Sequence, residues 1–212
     1  MNDTRALRAR IVATALAMNA QGINRGKSGN VSARIDDGFL ITPSALPYEE
    51  TKPRDIVALD GTGNATGGRK PSSEWRFHRD IYAARSEVAA IVHAHSPFAT
   101  TLACLERPIP AFHYMVAVAG GGDIRCAPYA TFGTQTLSDH AVATLDGRRA
   151  CLLAHHGMIA VGASLGSALA LAVEVETLAE MYWRSIVVGE PTLLSDDEMA
   201  RVVARFESYG KP

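Results

Sequence analysis

The 212-residue sequence has few cysteines and almost no net charge, and each shortage excludes a class of protein. The three cysteines are widely spaced and include no Cys-x-x-Cys pair, which excludes a disulfide framework. Lys and Arg number 21 and Asp and Glu number 22, so the formal net charge is -1. Such a chain lacks the positive field of a nucleic-acid binder. The near balance of charge also leaves little to oppose self-association.

Long apolar runs are also missing. The most apolar stretch, residues 165–175, contains Glu174 and is too short and too charged to span a bilayer. The first residues have no apolar core followed by a small-residue cleavage site, so we expect no secretory signal. These features, with three reduced thiols, predict a cytoplasmic protein with no membrane partner.

The residues that are present predict an α/β protein. Hydrophobic residues make up 47% of the chain, enough to build a core. Periodicity and capping residues predict helices at 3–21, 72–85, 96–110, 134–145, 164–189 and from 195, and strands at 31–35, 39–42, 55–59, 88–95, 150–155 and 158–161. Alternating helices and strands favour a layered α/β fold, and the early hairpin favours a mixed sheet. Without repeats or linkers, residues 1–212 are expected to form one domain.

The histidines supply the most informative local pattern. His93 and His95 lie two apart in a predicted strand, so both imidazoles face the same side and can share a divalent cation. A second strand ends at His155 and His156, and one of these two adjacent residues can supply a third ligand. His78 has no such spacing, lies in a predicted helix and is expected to be a surface or packing residue.

Two other segments are candidates for binding an anion. Residues 22–28, GINRGKS, miss the P-loop spacing by one residue but can still present backbone N–H groups beside Lys27. Residues 71–74, PSSE, begin a predicted helix, where two hydroxyls and free N–H groups suit a phosphate. Taken alone, these residues favour ordinary helix capping over phosphate binding.

Several longer segments together carry a family resemblance. In chain order they are SGNVSAR, ITPSALPYEE, PSSEWRFHRDIYAAR, IVHAHS, IPAFHYMVAVAGG, CAPYATFGT, LLAHHGMIA and FESYG. Over nearly its whole length the chain resembles the class II aldolase/adducin family. The resemblance implies a three-layer α/β/α domain with a mixed central sheet. It also implies a homotetramer with active sites between subunits.

The resemblance implies a metal site and a catalytic carboxylate. His93, His95 and His155 match the zinc ligands of the family, and three imidazoles also accept cobalt or manganese. Glu74 matches the carboxylate that moves a proton during catalysis and can bind the metal before substrate arrives.

Three aromatic residues match positions near the aldehyde product. Tyr114 matches the tyrosine that handles the aldehyde-side proton, and Phe132 matches an aromatic residue beside the aldehyde. Tyr209 matches a tyrosine in a C-terminal tail, at about 195–212, that covers the active site.

The resemblance also implies a phosphate site. Gly29, Asn30, Ser72 and Ser73 match the residues that hold the substrate phosphate. Ala45 stands where the family has a glycine whose N–H contacts phosphate. Ala45 keeps that N–H, but its methyl group restricts the backbone angles.

The implied activity is reversible cleavage of a small phosphorylated ketose to dihydroxyacetone phosphate and an aldehyde. The implied substrates are L-fuculose 1-phosphate, 5-deoxyribulose 1-phosphate and 5-methylthioribulose 1-phosphate. A sugar-phosphate 4-epimerase and a methylthioribulose-1-phosphate dehydratase are alternatives within the family, although its epimerases tend to carry Asp where this chain has Glu74. A non-catalytic adducin-like binding module is a third alternative, but that branch lacks the metal histidines.

Overall fold

A computed structural model describes residues 4–208 and contains six α-helices and eight strands in that part of the chain. The helices are α1 (Thr4–Ala20), α2 (Trp75–Ala84), α3 (Pro97–Cys104), α4 (Gln135–Thr144), α5 (Leu165–Val188) and α6 (Asp196–Ser208). The strands are β1 (Asn30–Ile35), β2 (Gly38–Ile41), β3 (Val57–Leu59), β4 (Ala65–Thr66), β5 (Ala90–Ala94), β6 (Cys126–Ala127), β7 (Ala150–Leu153) and β8 (Gly157–Gly162). Short 3-10 helices occupy Pro53–Asp55 and Tyr114–Ala119.

The eight strands form one sheet in the order β4-β3-β2-β1-β5-β8-β7-β6. Strands β6 and β7 are parallel, and the other neighbouring pairs are antiparallel. The prediction of an α/β fold with a mixed sheet is therefore confirmed. Strand β5, which carries His93, lies between β1 and β8 near the middle of the sheet.

Two apolar cores cover the two faces of the sheet, which gives three layers. Along β5, Ala90 and Val92 belong to the core shared with α1, α3 and α5. Ile91 belongs to the opposite core, shared with α2 and α4. Successive strand side chains point to opposite faces, so a strand buried on both sides is apolar at every position. The face toward α2 is the one that carries His93.

Helix α3 begins immediately after β5 and is anchored by a carboxylate from α5. Glu176 accepts hydrogen bonds from the backbone N–H groups of Phe98 and Ala99, each at 2.8 Å. The first N–H groups of a helix have no partner within the helix, and an acidic side chain there also interacts favourably with the helix dipole. This contact fixes the chain where it leaves β5.

The C-terminal segment packs beside the 3-10 helix at Tyr114–Ala119 rather than against the sheet edge. Helix α6 contacts that 3-10 helix, and the ring of Tyr114 stacks on Phe206 at a centroid distance of 6.4 Å. Within residues 4–208, no helix has the combined length and apolar character needed to cross a membrane.

Candidate metal centre and substrate cavity

Four side chains that can ligate a metal meet at one end of the central strands. They are Glu74, His93, His95 and His156, and one ligating atom from each lies within 4.8 Å of the others. The three imidazole rings are mutually edge-on, with centroids 4.8–4.9 Å apart. Rings in this arrangement direct nitrogen atoms to a common point.

The sheet explains how distant residues reach this point. His93 is near the end of β5 and pairs in register with Asn30 of β1 and with Ile159 of β8. His95 follows two residues later, as the strand spacing predicted, and Glu74 immediately precedes α2 on the same side. The hairpin between β7 and β8 brings His156 to the group.

The prediction of His155 as the third metal ligand is wrong in geometry, because its neighbour His156 takes that place. His155 adopts a left-handed backbone conformation, with φ of 53°. Its half-exposed ring points away from the group, and its Nε2 lies 3.2 Å from Glu106 Oε1. Adjacent side chains leave a tight turn in different directions, so only one imidazole of the pair can join the group.

The hydrogen bonds of His93 indicate that a cation fits among these groups. His93 Nδ1 lies 2.8 Å from the carbonyl oxygen of Met158, which makes Nδ1 the donor and leaves a lone pair on Nε2. That Nε2 is 3.0 Å from His95 Nε2 and 3.1 Å from Glu74 Oε2. A lone pair facing a carboxylate oxygen is repulsive unless a positive charge lies between them. The set of three imidazoles and a carboxylate is the chemistry that zinc prefers.

Glu74 supplies a second indication that a cation fits this group. The residue is buried, and its Oε1 accepts no hydrogen bond from the described residues, although His156 Nε2 lies 3.0 Å away. Burial alone would raise the pKa of the Glu74 carboxyl, but positive charge on the His93 and His156 side outweighs burial and holds the pKa well below its usual value. A bound cation would supply that positive charge while His93 keeps its lone pair on Nε2. The carboxylate is therefore anionic and is available to a cation or to a substrate proton.

His95 is held in the form that binds metals. Burial, followed by repulsion from His93 and His156, lowers the pKa of His95 to about 3. A neutral imidazole keeps a free lone pair at physiological pH, which is the state required of a metal ligand.

A cavity of about 630 Å³ opens beside the metal group. Its walls combine basic, hydroxyl-bearing and aromatic residues with members of the metal group. The residues lining it are Arg25, Lys27, Ser28, Gly29, Pro43, Ser44, Ala45, Ser72, Ser73, Glu74, His95, Tyr129, Ala130, Phe132, His155 and His156. A cavity with positive charge and hydroxyls on one side and a metal group on another suits a small anionic substrate.

Three loops that carry predicted phosphate-binding residues converge on this cavity. Ser72 N donates to Thr42 O at 3.1 Å, and this bond ties the start of α2 to the loop that contains Ala45. Lys27 Nζ donates to Ala45 O at 3.0 Å, and this bond connects the loop that contains Lys27 to the loop that contains Ala45. Ala45 has φ of 61°, a left-handed conformation that costs an alanine about 1–2 kcal/mol. The structure does not show Ser72 capping α2: the residue before the helix is Glu74, which makes no side-chain capping bond, and Ser72 Oγ accepts from Glu74 N at 3.3 Å in the turn that precedes the helix.

Of the other predicted site residues that the structure describes, one lines the cavity and two do not. Phe132 lines the cavity and is 65% exposed. Asn30 is buried behind the cavity wall, where its amide contacts Glu74 and His78. Tyr114 lies beside α6 and is not part of the cavity wall formed by the described residues. Tyr209 lies outside the described residues, so only part of the predicted tail is placed.

Gly29 allows the close approach of two strands beside the metal group. A Cβ atom at this position would lie 2.5 Å from the carbonyl oxygen of His93 and 2.9 Å from Asn24 Oδ1. We expect Gly29→Ala to lower the free energy of unfolding by about 1–3 kcal/mol, because the strands must separate to admit the methyl group. Urea denaturation measures this change.

Gly68→Ala is the matched control for that substitution. No heavy atom lies within 4 Å of a Cβ built at Gly68, so its effect should stay within about 0.5 kcal/mol. Equal stability of the two variants would contradict the close approach at Gly29.

Comparison with known proteins identifies the class of protein that this fold and site define. Residues 9–183 match the family described as Class II Aldolase and Adducin N-terminal domain. The chain belongs to the class II aldolase/adducin family, and its enzymatic relatives are metal-dependent aldehyde-lyases.

Individual relatives narrow the type of aldolase. The chain is 58% identical over 205 residues to a 5-methylthioribulose-1-phosphate/5-deoxyribulose-1-phosphate aldolase of Rhodospirillum rubrum. That alignment covers 97% of this chain and 93% of the Rhodospirillum enzyme. It is 49% identical over 201 residues to the L-fuculose phosphate aldolase of Escherichia coli K12, covering 94% of each. The solved structure of an L-fuculose 1-phosphate aldolase superposes with a TM-score of 0.93 at 40% identity, covering 98% of this chain and 97% of that one. The chain is thus an aldolase of the fuculose and methylthioribulose phosphate type.

Proposed function

We propose that this protein is a zinc-dependent aldolase that reversibly cleaves a ketose 1-phosphate to dihydroxyacetone phosphate and an aldehyde. The observation that carries the proposal is the position of the Glu74, His93, His95 and His156 group beside a cavity with a basic, hydroxyl-rich wall. A phosphate held at that wall would place the carbons next to it near the metal group. Among the substrates named for relatives, 5-deoxyribulose and 5-methylthioribulose 1-phosphate are our first choices.

The substrate phosphate would be held by the converging loops. Ser72 and Ser73 stand at the N-terminal end of α2, where hydroxyls, free backbone N–H groups and the helix dipole favour an anion. Gly29 and Ala45 offer backbone N–H groups from the two facing loops, and Lys27 adds positive charge. Binding energy from the phosphate fixes the orientation of the reacting carbons.

His93, His95 and His156 would hold the zinc ion, and Glu74 would join them when substrate is absent. The bound cation would supply Lewis-acid stabilisation of the negative charge that develops on the substrate carbonyl oxygen. Cobalt or manganese fits the same donor set.

Side chains of the protein would carry out the two proton transfers of the reaction. In cleavage, the hydroxyl on carbon 4 loses its proton, the bond between carbons 3 and 4 breaks, and carbon 3 gains a proton to give dihydroxyacetone phosphate. Glu74 would exchange the proton at carbon 3, and in condensation its anionic form accepts that proton. Tyr114, or a water that it orders, would take the proton from the hydroxyl.

Tyr114 requires a neighbouring subunit for this role. It is 51% exposed and lies outside the cavity wall of its own chain, beside the helix that leads to Tyr209. In the proposed homotetramer these two residues would complete the cavity of an adjacent subunit, and the tail would cover that cavity.

The aromatic part of the cavity favours an apolar aldehyde. Tyr129 and Phe132 are 57% and 65% exposed, and both line the cavity together with Ala130. A methyl or methylthio group on carbon 5 can cover such rings, whereas a hydroxyl must find a polar partner. Differences of this size give about 1–3 kcal/mol of discrimination.

A coupled assay for dihydroxyacetone phosphate tests the proposal. The metal-free protein, prepared with a chelator, should release the product at less than about 1% of the rate of the zinc-loaded protein. Zinc, cobalt or manganese should restore turnover when added back, since each suits three imidazoles. We expect 5-deoxyribulose and 5-methylthioribulose 1-phosphate to have higher kcat/KM than L-fuculose 1-phosphate.

Two results would contradict the proposal. Undiminished turnover by protein shown to be free of metal would remove the role of the cation. An isomeric ketose phosphate formed without dihydroxyacetone phosphate would identify an epimerase, and loss of water from the substrate would identify a dehydratase.

A further inference from the structure

A stripe of polar residues on α2 faces a polar pair on β1 behind the metal group. Glu74, His78 and Tyr82 are spaced four residues apart, which places them on one side of the helix. Asn30 and Ser32 are two apart on β1, which places them on one face of the strand. Each of the five residues is at most 5% exposed. The catalytic mechanism above uses Glu74 and leaves the other four unexplained.

The five side chains form one continuous series of hydrogen bonds. Tyr82 Oη lies 2.8 Å from Ser32 Oγ, and Ser32 Oγ lies 2.7 Å from His78 Nδ1. His78 Nε2 contacts Asn30 Oδ1, and Asn30 Nδ2 donates to Glu74 Oε2 at 3.0 Å. The series therefore runs from a tyrosine in the core to a carboxylate in the metal group.

The orientation of the Asn30 amide determines which atom donates at every step. Asn30 Nδ2 donates to Glu74 Oε2, so Asn30 Oδ1 is the atom that faces His78. Oδ1 only accepts, so His78 must carry its proton on Nε2. Ser32 must then donate to His78 Nδ1 and accept from Tyr82. Burial lowers the pKa of His78 to about 3 and raises the pKa of Tyr82, so both groups are neutral and the tyrosine keeps its proton.

We propose that His78 is a positioning residue for Glu74, because its Nε2–H holds the Asn30 amide in the orientation that donates to Glu74 Oε2. With Oε2 held in this way, Oε1 is left without a donor and stays available to the cation or the substrate proton. If the Asn30 amide rotated by half a turn, its Oδ1 would face the Glu74 carboxylate and repel it. The inference rests on the proposed role of Glu74 and gives Asn30 a function distinct from phosphate binding.

The tautomer of His78 tests the network in the unmodified protein. Nitrogen-15 NMR of histidine-labelled protein separates protonated from unprotonated ring nitrogens, and the signals of His78 are those that disappear in His78→Gln. We expect a proton on Nε2 and none on Nδ1. A proton on Nδ1 would overturn the proposal. This measurement does not depend on activity, so it is decisive even if none of the proposed substrates is cleaved.

Kinetics of two variants test the effect on Glu74. His78→Phe keeps an aromatic ring against Phe77, whose ring centroid is 4.7 Å from that of His78, but removes the donor. We expect kcat to fall by about 10–100-fold with KM changed by less than about threefold, as for other residues that orient a ligand. His78→Gln, whose amide can donate at the position of Nε2, should recover most of the loss.

His140→Gln is the control, since His140 lies on α4 and bonds to the carbonyl oxygen of Pro128. It should leave kcat and KM unchanged. Unchanged kcat in His78→Phe, or equal losses in His78→Phe and His78→Gln, would overturn the proposal. Should His78→Phe not fold, the NMR result and the comparison of His78→Gln with His140→Gln still decide it.

Discussion

Replacing Glu74 with Gln is expected to lower kcat for release of dihydroxyacetone phosphate by about 10²–10⁴-fold. The amide has almost the same shape and can still accept from Asn30, which donates to Glu74 Oε2 at 3.0 Å. It cannot exchange a proton with carbon 3 of the substrate. Because the loops proposed to bind phosphate are separate from this carboxylate, KM should change little. Steady-state kinetics of zinc-loaded protein give both constants.

Glu106→Gln is the control for the loss of a carboxylate near the cavity. Glu106 is exposed and contacts His155, which is outside the metal group. Its replacement should leave kcat within about threefold, as expected for an exposed group away from the reacting atoms. A Glu74→Gln enzyme with normal metal content and nearly normal kcat would contradict the proposed proton transfer.

Replacing His156 with Asn is expected to weaken zinc binding by more than about 100-fold and to abolish turnover at limiting metal. Loss of a residue that only supports a ligand costs about 10–100-fold, and loss of a ligand should cost more. Competition with a chromophoric chelator measures the affinity of the purified protein.

His155→Asn is the matched substitution at the adjacent residue. Asparagine tolerates the left-handed backbone found at position 155, so the turn should be preserved. Zinc affinity and turnover should stay within about threefold of the original protein, because the His155 ring points toward Glu106 and away from the metal group. The reverse order of effects would restore His155 as the ligand and contradict the structure.

The sequence carried enough information for the fold class and the longer elements. Helix α5 and strand β5 could be predicted because an apolar periodicity of suitable length identifies each of them. Strands β4 and β6 have two residues each and fell inside predicted loops, since two residues show no periodicity. The 3-10 helix at Tyr114–Ala119 likewise lies within a region that the sequence left irregular.

The metal group shows where local pattern stops being informative. The pair His93 and His95 follows from strand geometry alone. The choice between His155 and His156 depends on a left-handed residue in the turn, and the letters His-His-Gly do not specify which residue takes that conformation. The family resemblance selected His155, and the direction of the side chains corrects it to His156.

The network behind Glu74 was missed for a different reason. His78 was expected to be a surface or packing residue because its partners are remote in the chain, with Asn30 preceding it by 48 residues. A signal did exist in the four-residue spacing of Glu74, His78 and Tyr82 on one helix. Its meaning depends on β1 lying against that side of α2, which packing of the two elements establishes.

Anomalous X-ray diffraction from crystals grown with zinc is the most direct test of the central claim, that two imidazoles from the end of β5 and one from the turn between β7 and β8 share one cation. We expect one zinc ion at about 2.0–2.1 Å from Nε2 of His93, His95 and His156. Crystals grown with zinc that show no ion among these rings, or an ion bound by His155 instead, would contradict the account.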